Sequence, residues 1–569
     1  VQKGLFSNLS KTVSPLFSHQ ENGFIDFKTQ PLLHKMNSRI GPGIAVADIN
    51  NDNKSDFFIG GASGQDGILF VQQENFSFQK VLLDIESTKK EDTGCLFFDA
   101  NNDGAKDLYV ASGGVMFGSE GDLATMYQDR LYINDGKGNF YLDESALPEM
   151  NGSASCVVGS DYDRDGDIDL FIGGKMLPKQ YPFPGKSYLL SNEGGKFQDI
   201  SEKVEGLQDI GMVSSAIWTD FNYDNWTDLI IVGEWMPVTF FKNEKGKLIN
   251  ITREIGLASH TGWWNSINAG DFDADGDMDY VVGNLGLNSI LKANNKEPVE
   301  VYAKDFDNSG NIDPVIFSYI KGESYPMPMR DALIDQINGM KGRFKAYRTY
   351  ANATKEMVFT EKEMKGALHL QATTFATAYI ENLGNNQFSL KPLPNPAQVT
   401  PVYGMQIADF TNDGFLDILL AGNNSNVETL YGYYDASEGM LFKGDGKGNF
   451  LVVTALEHGL KISGNTKGIA AISDSKGNQF LLCAKNNSDL QVAVSPPNSI
   501  KKIRLNADDL YAEIAFKGAK REQKMEFYYG SGYLSQNERC MLINENMESV
   551  VIYSVGGKSR KVFDASSIQ

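Results

Sequence analysis

The chain has 569 residues, 57 of them glycine and only 18 proline, with 41% hydrophobic residues and a formal net charge of −21. This length supplies an ample core for one large domain and a small one. No basic patch is present to neutralise phosphates, which argues against a nucleic-acid partner, and no stretch reads as a signal peptide or a transmembrane segment.

In chain order, residues 1–40 form an N-terminal segment. Its GFIDFK stretch (23–28) has the form of a last β-strand able to close a ring of sheets. Residues 41–499 then repeat one nine-residue acidic loop seven times. The first copy presents Asp48, Asn50, Asp52 and Asp56, and the second Asp99, Asn101, Asp103 and Asp107. The third presents Asp161, Asp163, Asp165 and Asp169, and the fourth Asp220, Asn222, Asp224 and Asp228. The fifth presents Asp271, Asp273, Asp275 and Asp279, the sixth Asp305, Asp307, Ser309 and Asp313, and the seventh Asp409, Thr411, Asp413 and Asp417. Oxygen-bearing side chains thus fall at positions 1, 3, 5 and 9 of each loop. Alternate residues of a tight loop can aim six to eight oxygens at one hard cation, and Ca²⁺ suits this pattern. Position 6 is Gly in five copies and Asn in two, as a turn with positive φ requires. The 23 carboxylates at these positions account for much of the acidity. The third and fifth loops, with four carboxylates each, are expected to bind most tightly, and the sixth and seventh more weakly.

Short apolar runs flank every loop, GIAVAD before and SDFFIGG after the first, for example, followed by hairpins such as RLYINDGKGNFYL. They are rich in β-branched and aromatic residues and bounded by Gly and Asn, so each unit reads as four antiparallel strands with the loop between the first two. Repetition of such units predicts an all-β fold closed radially into a β-propeller.

These units resemble FG-GAP (VCBS) repeats, of the kind in integrin α-subunits and bacterial repeat proteins. GWWNSINAGDFDADGDMDYVVGNLGLNS and YYGSGYLSQ (528–536) resemble a narrower group, the surface proteins of Bacteroidota that pair an FG-GAP propeller with a C-terminal ASPIC/UnbV-type domain. On that resemblance residues 500–569 are a degenerate ASPIC/UnbV-like β-domain, with VVIYSVGGK (550–558) standing where the family has a VRWPSG-like stretch.

Uneven spacing complicates the blade count. The sixth loop starts 34 residues after the fifth and the seventh 104 after the sixth. The long gap holds a helical insertion at about 319–371, expected to interrupt the sixth unit between its second and third strands. A loop-less unit lies at 468–494. Seven blades are expected, with eight as the alternative. Cys95, Cys156, Cys483 and Cys540 allow three pairings, and buried free thiols are favoured over a Cys95–Cys156 bridge. The start at Val1 without Met suggests a processed or partial product.

Five histidines and many carboxylates form no catalytic motif, because the recurring acids fall on metal-loop positions. All five tryptophans lie in one window, Trp218, Trp226, Trp235, Trp263 and Trp264, where core packing competes with a role in contacts. The expected function is that of a non-catalytic, calcium-stabilised surface propeller binding a protein partner. The resemblance implies export to the cell surface or outer membrane and an accessory role in a SusC/SusD-like nutrient importer. The alternative is a glycan-binding lectin-like propeller or a calcium-dependent polysaccharide lyase.

Overall fold

The computed structural model describes residues 4–9, 17–83, 90–115, 123–474, 476–496, 499–518 and 522–568. Seven four-stranded antiparallel sheets form the blades of a propeller. Blade one runs Ile44–Ala47, Asp56–Ile59, Ile68–Gln72 and Phe78–Leu82. Its first two strands are buried throughout, while the fourth is mostly exposed or half-exposed. The other blades repeat this gradient, which explains why inner strands read as continuous apolar runs and outer strands alternate.

Blade two starts at Glu91–Phe98, blade three at Ala154–Ser160, blade four at Met212–Thr219 and blade six at Val402–Ala408. Apolar side chains from each neighbouring pair of blades interlock, and seven such clusters close the circle. Glycines let the inner strands approach: a Cβ on Gly94 of blade two would lie 2.7 Å from the Val157 nitrogen of blade three.

Ring closure comes from a different part of the N-terminal segment than GFIDFK. Blade seven consists of Thr466–Ser473, Gln479–Lys485 and Gln491–Ser495, and its fourth strand is Ser7–Asn8, paired with Ala493 and Val494. GFIDFK instead carries the helical turn Asp26–Lys28. There Asp26 accepts hydrogen bonds from the Asn37 and Ser38 backbone N–H groups at 2.6 and 3.0 Å, which folds the segment on itself and prevents it from extending as a strand.

The insertion also differs from expectation. Blade five starts with Ser266–Gly270 and Asp279–Gly283 but finishes with Ala378–Asn382 and Phe388–Pro392. Residues 284–377 therefore interrupt the fifth blade, and the sixth acidic loop belongs to the inserted unit. That unit has its own sheet, in which Glu323–Pro326, Asp313–Ile320, Val299–Lys304 and Leu368–Ala372 lie side by side in that order. Short helices, among them Arg330–Gln336, Met340–Arg343 and Tyr347–Tyr350, cover it. Its core is separate, built on Val315, Phe317, Leu333, Phe344 and Phe359. Spacing alone hid this arrangement because a loop and its flanking strands look the same in a blade and in an inserted sheet.

The C-terminal unit pairs Lys501–Arg504 with Cys540–Ile543 and adds a second sheet of Glu522–Glu526, Asp509–Phe516, Met547–Ser554 and Ser559–Asp564. All four cysteines are free thiols, three of them buried. Among the described residues no helix is long and apolar enough to cross a membrane.

Candidate metal loops and the filled channel

All seven acidic loops share one backbone design. Positions 4 and 6 both take positive φ: Arg164 at 65° and Gly166 at 100° in the third loop, Ala274 at 59° and Gly276 at 95° in the fifth. Position 4 is never Gly, so this left-handed step escaped the sequence reading. The paired reversals turn backbone N–H groups inward. In the second loop the Asp103 N–H donates to Asp99 and Asn101, both at 3.1 Å, and the Ala105 N–H donates to Asp103 at 2.8 Å. Side-chain oxygens at positions 1, 3 and 5 are thereby held on one side of the loop.

Position 9 is different. Asp56, Asp107, Asp169, Asp228, Asp279, Asp313 and Asp417 are all fully buried. Asp228 accepts from the Phe221 N–H at 3.3 Å and the Asn243 N–H at 2.6 Å, which staples its loop to the third strand of its own blade. Asp56, Asp107 and Asp279 make the corresponding pairs, and Asp417 accepts from the Thr411 and Gly444 N–H groups.

The loops divide by what faces their carboxylates. Carboxylate oxygens gather within 4.8 Å of one another in the third loop (Asp161, Asp163, Asp169), the fifth (Asp271, Asp273, Asp275) and the sixth (Asp305, Asp307, Asp313). None of these nine residues joins an ion pair among the described residues. Asp161 Oδ1 and Asp169 Oδ2 of the third loop and Asp271 Oδ1 of the fifth are buried without a hydrogen-bond partner, as is Asp220 Oδ1 of the fourth, whereas both oxygens of Asp305, Asp307 and Asp313 accept hydrogen bonds. An orphaned buried carboxylate oxygen is costly, so the donor sets of the third and fifth loops fit a hard divalent cation. Burial, reinforced by the neighbouring carboxylates, pushes Asp161 up to about 6, Asp271 to about 7 and Asp169 to about 8.

In the remaining four loops a protein cation stands nearby, and one of these cations, Lys524, also acts on Asp277 of the fifth loop. Arg504 of the C-terminal unit pairs with Asp48, Lys443 lies 2.9 Å from Asp413, and the charges of Lys106 and Lys524 act on Asp99 and Asp220. The position-3 residues Asn50, Asn101, Asn222 and Thr411 also lack a carboxylate. Asn101 turns its amide toward Asp103 at 3.0 Å.

A second repeating device had a signal that the sequence reading passed over, namely Asn at the end of a third strand. Asn134, Asn192, Asn243 and Asn382 each donate through Nδ2 to the position-2 carbonyl of the preceding blade's acidic loop. The acceptors are Ile49, Ala100, Tyr162 and Phe221, at 2.7 to 2.9 Å. Acidic loops are therefore also joints between blades.

The central channel is filled. Residues 527–538, which contain YYGSGYLSQ, leave the C-terminal unit and reach the inner strand of every blade. Ser535 and Gln536 pair in parallel with Ile44 and Ala45 of blade one, and Gln536 exchanges hydrogen bonds with the Phe97 backbone of blade two at 2.7 and 2.8 Å. The Gly159 N–H of blade three donates to the Tyr529 carbonyl, and the Gly532 N–H donates to Ile267 of blade five, both at 2.9 Å. Ser215 of blade four donates to the Gly532 carbonyl. Asn537 accepts from Gln406 of blade six and from the Ala471 N–H of blade seven, both at 2.8 Å. Tyr533 continues to the Ile40 carbonyl at 3.2 Å, so the plug meets the N-terminal segment.

Around that junction lies a buried charge network. Glu234 takes Lys175 Nζ at 2.7 Å and Lys35 Nζ at 2.8 Å. Burial alone would raise its carboxyl, but the two ammonium groups outweigh it and hold it near 2. Burial, with Lys35 nearby, lowers Lys467 to about 7, where it sits 3.9 Å over the Tyr403 ring. Trp218, Trp235, Trp263 and Trp264 are buried. Trp226 is half-buried beneath the Arg164 guanidinium, 3.9 Å from its ring centre. The tryptophan window is thus mainly core.

Residues 99–172 and 220–282 match the FG-GAP-like repeat family. The ring is a β-propeller that carries FG-GAP-like repeats. The matched stretches contain the second to fifth acidic loops. An alignment of 242 residues shows 24% identity to the human T-cell immunomodulatory protein and covers 38% of this chain and 39% of that protein. The chain thus spans well under half of that relative's length. Among solved structures, YCF48 bound to a D1 peptide is 10% identical at a TM-score of 0.38, covering 82% of this chain and 96% of that one. The Dos1 propeller is 12% identical at a TM-score of 0.35, with the same coverage of each chain.

Proposed function

We propose that this FG-GAP propeller is a non-catalytic protein-binding module stabilised by Ca²⁺ in its third, fifth and sixth acidic loops. The observation that carries the reading is the filled channel. A segment that touches all seven inner strands occupies the axis, and the N-terminal segment meets it from the other side. The surfaces left for recognition are the blade edges, the inserted unit and a cavity of about 280 Å³ between the C-terminal unit and the inner strands of blades five to seven, and the first two are broad and rigid and suit a protein partner. Ca²⁺ held by Asp161, Asp163 and Asp169, by Asp271, Asp273 and Asp275, and by Asp305, Asp307 and Asp313 would neutralise clustered carboxylates and stiffen the loops at the blade joints.

The resemblance to surface proteins of Bacteroidota supports a narrower reading. In it the chain is exported and serves as an accessory subunit of a SusC/SusD-like outer-membrane importer, with residues 500–569 as an ASPIC/UnbV-like unit. Cross-linking followed by affinity capture from native membranes, run beside a glycan array, tests the role. A defined protein partner retained in the presence of Ca²⁺ supports it. Saturable glycan binding without a protein partner, or turnover of a polysaccharide, overturns it in favour of the lectin or lyase reading.

A further inference from the structure

The inserted unit carries a charge pattern unlike the rest of the molecule. From residue 329 to 358 it has six cations, Arg330, Lys341, Arg343, Lys345, Arg348 and Lys355, against three carboxylates, Asp331, Asp335 and Glu356, in a chain of net charge −21. Arg343 is tied to Glu363 at 2.6 Å and Lys355 to Glu300 at 2.9 Å. Lys341, Lys345 and Arg348 are exposed and make no ion pair among the described residues. Exposed apolar side chains accompany them: Tyr347 is 65% exposed, Met329 60% and Met357 58%. The surface is braced. Arg330 lies 5.0 Å from the Tyr347 ring centre and donates from Nε to the Phe344 carbonyl at 2.8 Å, while Arg343 donates to the Val358 carbonyl. Helices Arg330–Gln336, Met340–Arg343, Tyr347–Tyr350 and Lys355–Val358 are thereby fixed over the core of the inserted unit.

We propose that this face of the insertion is a docking site for an acidic polypeptide segment of a partner protein, one that carries Leu or Phe side chains among its carboxylates. The inference rests on the protein-binding role proposed above and specifies its partner. Charge complementarity selects an anionic occupant. The exposed Met and Tyr side chains add apolar contacts of the kind enriched at interfaces. The acidic body of the propeller discriminates among anionic occupants. An extended anionic surface, a bilayer or a duplex, would bring many charges within about 10 Å of that body at ordinary ionic strength. A short segment reaches the cationic face without that repulsion.

The test uses the full chain with Ca²⁺ and three probes: a fluorescein-labelled synthetic peptide alternating Glu with Leu and Phe, a Glu-only peptide of equal charge, and vesicles containing phosphatidylglycerol. The mixed peptide should bind saturably and weaken as salt rises. The K341E/K345E/R348E variant should lose at least about tenfold in affinity, or about 1.4 kcal/mol, with unchanged melting because all three side chains are exposed. Tyr347→Ala and Met357→Ala should weaken the mixed peptide and leave any binding of the Glu-only peptide unchanged. Wild-type affinity in the triple variant overturns the proposal. So does equal binding of the two peptides, or loss of vesicle binding in the triple variant with no peptide binding at all. If the peptide fails to bind while affinity capture still yields a protein partner, only the docking site falls. If both fail, the protein-binding role falls as well.

Discussion

Replacing Asn243 with Ala tests the joint between blades directly. Its side chain is fully buried. Nδ2 donates to the Tyr162 carbonyl of blade three at 2.7 Å and to the Thr227 carbonyl at 2.9 Å, while Oδ1 accepts from the Gly246 N–H at 2.7 Å. Three hydrogen bonds disappear together, and two carbonyls are left in a dry interface. At roughly 1 kcal/mol per bond, with the unsatisfied partners adding to it, the loss is about 3 kcal/mol. Unfolding entropy of roughly 2.1 cal/mol/K per residue gives about 1.2 kcal/mol/K for a chain of this length, so the midpoint should fall by about 2 to 3 °C. Chemical denaturation resolves the change better, as a shift in midpoint at constant slope. The control is Asn139→Ala, an exposed Asn bonded only within its own hairpin, which should change stability by less than about 0.5 kcal/mol. If Asn243→Ala is no worse than this control, the side chain does not join the blades as argued.

Chelation should lower the melting temperature, and added Ca²⁺ at a hundredfold excess over Kd should restore about 2.7 kcal/mol per site. Calorimetry should show Asp163→Asn and Asp273→Asn each removing a site, whereas Asp48→Asn, already paired with Arg504, should remove none. Buried His19 and His34 are held down at about 4 and about 3 by burial, with Lys35 adding to the effect on His34. The unfolded chain protonates its histidines near pH 6.5 while these two stay neutral, so their own contribution to stability falls as pH drops from about 6.5 to 4, opposite in sign to that of carboxyls raised by burial such as Asp161 and Asp169. The His19→Gln/His34→Gln variant should lack that contribution, read as its difference from the unsubstituted protein in urea unfolding measured across pH. At Gly530, φ is +86° and a Cβ would lie 2.9 Å from the Val157 carbonyl oxygen. Gly530→Val should unseat the plug, seen as faster limited proteolysis of residues 500–568 with the blades intact.

Elements with a local repeat were legible in the sequence, and arrangements made over distance were not. Loop, strand and turn recur in fixed order, so four-stranded blades and a seven-bladed ring follow from periodicity. The discontinuity of blade five did not, because Val282 and Ala378 are paired in the sheet but 96 residues apart in the chain. The strand pairing, together with the bond from the Asn382 N–H to Asp279 that matches Asn243 to Asp228, shows that 378–392 completes that blade. Ring closure was assigned to the right segment and the wrong residues, since Asp26 offers its carboxylate to nearby backbone N–H groups and makes a turn of what reads as a strand. Positions 1, 3 and 5 of each acidic loop were readable as oxygens. Which loops keep their carboxylates clear of protein cations was not, because Arg504 and Lys524 come from the far end of the chain.

The plug also has a consequence for the order in which the molecule is made. Synthesis runs from the N-terminus, so Ser7 and Asn8 emerge first and wait for Ala493 and Val494 before blade seven is complete. Residues 527–538 emerge later still and enter the axis only after all seven inner strands exist. Until then a nascent chain carries an open bore, with inner-strand groups such as the Gly159 N–H, the Phe97 carbonyl and the Gln406 amide facing water. A chain that lacks residues 500–568 would therefore leave the seven inner strands without the segment they share.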